Sequence, residues 1–272
     1  MAKHRFSLAW LKPPSARTGG VMTLTDHLRD LRYRVIVAVV AVIVGSIAMS
    51  FLTRELYALL LGPYQEAVAI LQTTDPALHP TTVINGIVAP FTLMLKVSVV
   101  AGIIVSSPIW LWQLWAFIAP ALKTKEKKYT LGFLGAAVPL FLMGVVIGYF
   151  ILPKGISVML AFTPTSVPIM NLMDVNQFLT LMLQIMIVFG LGFLLPVVVV
   201  GLNMVGILPA TRLAKVRSYV VFGIFVFAAI ASPSTDPLSM LALAIPMVVL
   251  YLAAEIIARV HDRKKLREQA EG

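Results

Sequence analysis

Cysteine is missing from all 272 residues, so this chain can build no disulfide, thiolate nucleophile or iron–sulfur ligand set. Charge is almost as scarce. Only 12% of the residues are Asp, Glu, Lys or Arg, where a soluble domain carries about a quarter. The four histidines, His4, His27, His79 and His261, lie outside the apolar runs and form no H-E-x-x-H pair, which leaves a membrane metalloprotease without its zinc ligands. Neither a G-x-S-x-G elbow nor a G-x-x-x-x-G-K-[ST] phosphate loop is present, so serine hydrolysis and nucleotide hydrolysis have no footing. The chain does not read as an enzyme, and no cofactor or metal is implied. The first 22 residues are basic and contain prolines but have no apolar h-region, so no cleaved signal peptide is expected.

Apolar sequence is what the chain has in excess: 59% hydrophobic residues and a mean hydropathy of +0.92. Such a balance marks an integral membrane protein. About 20 apolar residues cross a hydrocarbon core of about 30 Å. On that measure, spans are expected near 35–53, 91–115, 130–152, 176–200, 218–231 and 238–256. Between them lie turn signals such as Leu61-Gly62-Pro63, Ala119-Pro120 and Leu208-Pro209, with Ser232 to Pro237 making the last two spans a tight hairpin. The net charge of +10 is distributed around the spans and forms no single patch, which favours membrane orientation over nucleic-acid binding. Nineteen of the 22 Lys and Arg fall in the N-terminal segment, the 116–129 and 206–217 loops and the C-terminal tail. By the positive-inside rule this predicts both termini in the cytoplasm.

The densest signal is Ser107 to Lys128, SPIWLWQLWAFIAPALKTKEKK. Trp110, Trp112 and Trp115 suit a headgroup layer, and Lys123, Lys125, Lys127 and Lys128 then surround a single acid, Glu126. Ahead of the first span, Leu24, Leu28, Leu31 and Val35 recur at helical spacing, so an amphipathic helix carrying Asp26 and Asp30 should run into that span. Asp30 stands four residues before Arg34, which allows an i,i+4 ion pair as well as a role in binding.

Polar groups inside spans are costly and few. Lys96 is placed to snorkel toward the outer interface, while Gln184 and Asn203 are placed for interhelical hydrogen bonds. No series of buried acids crosses the membrane, which argues against proton-coupled solute carriage. Pro139, Pro196 and Pro246 should bend spans three, four and six. Span five covers about 14 residues, roughly 21 Å of helix; either it thins the bilayer beside it or it begins in the preceding loop.

His27-Leu28-Arg29-Asp30-Leu31-Arg32 resembles the H-L-x-E-L-R opening of the TatC family, the large subunit of the twin-arginine protein translocase. Pro108, Gln113, Trp115, Phe117, Pro120, Leu122 and Glu126 resemble its first-loop signature. Phe189-Gly190, Phe193 and Pro196 are similar to its span-four motif, and Pro233, Asp236 and Ala244-Ile245-Pro246-Met247 to its last hairpin. The resemblance runs in order from about residue 24 to 256. It implies an all-α membrane protein with six kinked helices in a concave, glove-like arrangement, spans five and six being short. It also implies a receptor for Arg-Arg signal peptides that exports folded proteins with the single-span partners TatA and TatB, driven by the protonmotive force, in the inner membrane of a prokaryote and in a larger self-associated complex.

The residues that the resemblance places against the signal peptide are Asp30 and Glu126, with support from His27, Arg32 and Gln113. Partner-helix docking would fall to Ser232, Thr235, Ser239 and Met240. Three positions depart from the family pattern: Asp30 replaces the usual glutamate, Leu194 a buried glutamate of span four, and Met240 a polar residue of span six. Gln184 is a candidate to stand in for the missing span-four acid. A small-solute secondary transporter and a membrane scaffold are the other readings. The expected division is a basic extension over 1–22, one membrane domain over 23–257 and a charged tail over 258–272.

Overall fold

A computed structural model describes residues 24–74, 81–118, 127–160, 172–204, 206, 208–231 and 237–271. Eight helices carry the chain: α1 (Leu24–Ser50), α2 (Thr53–Thr74), α3 (Ala89–Val105), α4 (Ser107–Ile118), α5 (Lys127–Leu160), α6 (Val175–Met204), α7 (Ala210–Ala231) and α8 (Pro237–Glu271). Two three-residue strands, β1 (Thr81–Val83) and β2 (Leu172–Asp174), pair in parallel, Thr81 opposite Leu172 and Val83 opposite Asp174. Helices α1, α5, α6, α7 and α8 each contain a stretch long and apolar enough to cross a membrane, and α3 with α4, bent by 59° at their junction, is long and apolar enough as a pair. The expected all-α six-span architecture is what the chain adopts.

α6 is the axis. Its most apolar window is 56% buried, against none of the corresponding window of α1, so α6 is enclosed by protein and α1 lies at the edge of the bundle, packed on α3 and α4. α5, α3 and α8 pack around α6, and α7 closes on α8. Lipid tails are as apolar as leucine, so helices in a membrane associate through close van der Waals approach, which small residues allow. A Cβ added to Gly144 of α5 would sit 2.5 Å from the Phe189 carbonyl oxygen of α6. One added to Gly102 of α3 would lie 2.5 Å from the Ser46 nitrogen of α1. Neither seam admits a side chain.

Two breaks in helical regularity are repaired by aromatic donors. Leu61-Gly62-Pro63 reads as a turn, yet α2 runs straight through it. Pro63 has no N–H for the Leu59 carbonyl one turn back; the Tyr149 hydroxyl of α5 donates to that carbonyl at 2.8 Å instead. At the α3–α4 bend the helical ladder is interrupted before Pro108, and the Trp110 indole N–H donates to the Ile103 carbonyl at 2.9 Å. The tryptophans therefore depart from the expected headgroup belt. Trp115 is buried and stacks on Phe133 with centroids 3.9 Å apart, Trp110 packs edge-on against Phe141, and only Trp112 is exposed.

Span five also differs from its expected bounds. α7 starts at Ala210, so Arg212, Lys215 and Arg217 are helical residues of what reads as a loop. Asp262 of α8 makes this start possible, its Oδ2 accepting the Ala210 N–H at 2.8 Å, one of the donors every helix N-terminus leaves without an intrahelical partner. The uncharged part of the helix remains the short stretch 218–231.

Candidate functional site

The first turns of α1 meet the end of α4. The helical spacing of Leu28 and Leu31 continues into span one without interruption, so Asp30 is carried on a rigid element. Its carboxylate is 3% exposed, and Arg34, one turn on, holds Oδ2 through Nε at 2.7 Å. The anticipated i,i+4 pair therefore forms. A single Nε contact occupies one carboxylate oxygen, and a carboxylate has about four lone-pair positions in all. His27 stacks on Phe117 of α4 at 4.6 Å, 19° from parallel, fastening the start of α1 to the end of the bent span. Gln113 lies one turn before Phe117 on α4 and is half-buried. Arg32 is exposed on α1. Thus the fold gathers Asp30, His27 and the α4 end at one place. Glu126 lies outside the described residues; α5 begins at the residue after it.

A second charged cluster, absent from the sequence reading, joins α7 to α8. Glu255 is 2% exposed. Arg217 grips it in two-pronged fashion, Nε to Oε2 at 2.9 Å and Nη2 to Oε1 at 2.7 Å, while Arg259 donates to Oε1 from one turn further along α8. Just beyond, Asn203 of α6 donates to the Leu208 carbonyl at 2.9 Å and to Asp262 at 3.1 Å, which is the interhelical bond expected of it. The sequence clues to the Glu255 cluster are one acid in an otherwise apolar run and its i,i+4 spacing to Arg259, while its other partner, Arg217, lies 38 positions away.

The remaining candidates are dispersed. Gln184 is exposed on α6, one turn from Thr180, which accepts a hydrogen bond from Lys96 Nζ at 3.0 Å. Leu194 is buried among apolar residues. Met240 is half-buried and packs on the core. Ser232 and Thr235 lie outside the described residues, and for Ser239 only the helical backbone is described. Among the described residues no group of three or more His, Asp or Glu could hold a metal ion.

A bundle of this kind, with its second apolar segment bent and charges collected at helix ends, defines a polytopic membrane protein. Comparison with known proteins makes the class specific. Residues 26–246 match the family described as Sec-independent protein translocase protein (TatC). The TatC protein of Frankia casuarinae is 37% identical over 249 residues, 90% of this chain and 68% of its own length. That of Aquifex aeolicus is 30% identical over 90% of this chain and 98% of its own, and Bacillus subtilis TatCy is 30% identical over 92% and 93%. A crystal structure of the twin-arginine translocase receptor TatC in DDM superposes with a TM-score of 0.71 at 28% identity, covering 85% of this chain and 99% of that one. The chain belongs to the TatC family. It is a membrane component of Sec-independent protein translocation.

Proposed function

We propose that this protein is the twin-arginine signal-peptide receptor of its translocase. The observation that carries this reading is Asp30: a carboxylate buried at the end of a membrane helix, held by one guanidinium through one oxygen. An incoming arginine offers the same planar fork that Arg34 already presents, with donors to spare for a bidentate contact. Binding then exchanges or shares one guanidinium at a site where water is partly excluded and the charge-assisted bond is strong. Glu126, the single acid among Lys123, Lys125, Lys127 and Lys128, supplies the second carboxylate for the second arginine. His27, Arg32 and Gln113 line the approach. Basic loops orient both termini to the cytoplasm of a prokaryotic inner membrane. TatA- and TatB-like single-span subunits dock near Ser232, Thr235, Ser239 and Met240, copies of this chain assemble in the larger complex, and the protonmotive force drives passage of folded cargo.

Binding of a fluorescent Arg-Arg signal peptide to the purified protein in detergent tests the reading, with a Lys-Lys peptide as control. Tight binding should require both arginines and should fall by at least about tenfold in Glu126→Ala, the loss of one charge-assisted contact. Asp30→Glu should weaken it less, because the carboxylate is retained. Binding indifferent to the arginines, or Asp30→Glu more damaging than Glu126→Ala, would sink the assignment.

A further inference from the structure

Lys96 is the unusual cation of this bundle. Among the described residues no carboxylate pairs with it; its hydrogen bond is to a neutral hydroxyl, Thr180 Oγ1, at 3.0 Å. Both residues line a groove of about 570 Å³ between α3 and α6, within the range of roughly 300–1,000 Å³ typical of small-molecule sites. Polar groups occur only at one end of it. Lys96, Thr180 and Gln184 stand together near the mouth, and Val99, Val100, Ile103, Ile187 and Val188 line the length beyond them.

The depth of this end follows from chain length. Val97 to Ile118, through the bent span, carries no charge, and neither does Leu181 to Leu202 of α6. Each run is about the 20 residues that a hydrocarbon core requires. Lys96 and Thr180 are therefore at headgroup level, in the leaflet opposite the Arg217–Glu255–Arg259 cluster. Because Thr180 accepts from Lys96, its own hydroxyl proton is available to an outside acceptor; Lys96 retains two further N–H donors, and the Gln184 amide is exposed beside them. All these donors share one end of the groove.

We propose that this groove is a phospholipid site. A headgroup phosphate is held by Lys96, Thr180 and Gln184, and one acyl chain of the same molecule lies inward along Val99, Ile103 and Ile187. A phosphodiester supplies the several acceptor oxygens that the three side chains need, and the aliphatic lining suits a hydrocarbon chain and nothing polar. The inference does not depend on the signal-peptide reading, since the two sites involve different helices and opposite leaflets.

Native mass spectrometry of the full chain, delipidated in detergent and titrated with phosphatidylglycerol, tests it. The wild type should retain one tightly bound lipid. Lys96→Met should weaken that binding by at least about tenfold, as expected for loss of a charged hydrogen bond, and Lys96→Arg by no more than about threefold, because the cation persists. Diacylglycerol with the same chains, having no phosphate, should not compete. Ile187→Trp, which fills the groove away from the headgroup, should abolish binding while the thermal unfolding midpoint is unchanged; it carries the test if Lys96→Met does not fold. Unchanged phosphatidylglycerol binding in Lys96→Met, or equal binding of diacylglycerol, overturns the proposal. So does Lys96-dependent capture of a membrane-spanning peptide carrying a single glutamate when phosphatidylglycerol shows no such dependence, which would make the groove a helix dock.

Discussion

Asp30 and Glu255 are both buried carboxylates near the ends of membrane helices, and they are built to different ends. Glu255 is surrounded: both oxygens are held by two arginines, and the contact with Arg217, 38 positions away in sequence, joins two helices. Asp30 is gripped by one arginine of its own helix through one oxygen. A carboxylate whose capacity is filled by residues of different elements ties those elements together. A carboxylate held only by a neighbour one turn away on its own helix ties no second element to it. The first is a clasp for the α7–α8 hairpin, and the second keeps capacity for a ligand.

Mutation can break that contrast. Glu255→Ala should have the largest effect. Removing one partner of a fully buried pair costs roughly 3–5 kcal/mol; both guanidiniums here are half exposed, so a loss of about 2 kcal/mol is expected, read as a fall in thermal midpoint with signal-peptide affinity little changed in the protein that remains folded. Asp30→Asn should do the opposite, lowering affinity for an Arg-Arg peptide by at least about tenfold while leaving the midpoint within a degree or two of wild type. A large stability loss in Asp30→Asn would erase the distinction between clasp and site. The smallest effect sharpens it. In Arg34→Gln the competing guanidinium is gone, and peptide affinity should rise by at least about twofold, the equivalent of an exposed i,i+4 pair; an affinity that falls would mean Arg34 positions Asp30 and does not compete for it.

Much of this was legible along the chain because membrane spans are local objects. Length and hydropathy located all six, and the period of Leu28 and Leu31 revealed the helix that delivers Asp30. Asn203 was recognised as an interhelical donor because an amide near the end of an apolar run has few other ways to be satisfied. What escaped was set by distant partners. Gly62-Pro63 looks like a turn unless Tyr149, 86 residues after Pro63, is known to satisfy the carbonyl that proline leaves open. Trp115 looks like an interfacial residue until Phe133 covers it. Glu255 has a local pattern only toward Arg259, four residues on; its two-pronged grip by Arg217 of α7 exists only after the hairpin folds. The proposed contribution of Glu126 still rests on sequence, because that residue lies outside the described structure.

The small ribbon of β1 and β2 sets a timetable for biogenesis. Its strands are parallel and 91 positions apart, Thr81 against Leu172, and it is reinforced by Asn85 donating to Asp174 at 3.2 Å and by Asp174 capping the first turn of α6 at the Asn176 N–H. A ribosome that has released β1 must still synthesise α3, α4 and α5 before the partner strand exists. Until then the β1 segment waits unpaired while three helices insert. The ribbon therefore cannot close until the chain from α3 through α5 has been made, which ties the outer end of α6 to a segment synthesised 91 positions earlier.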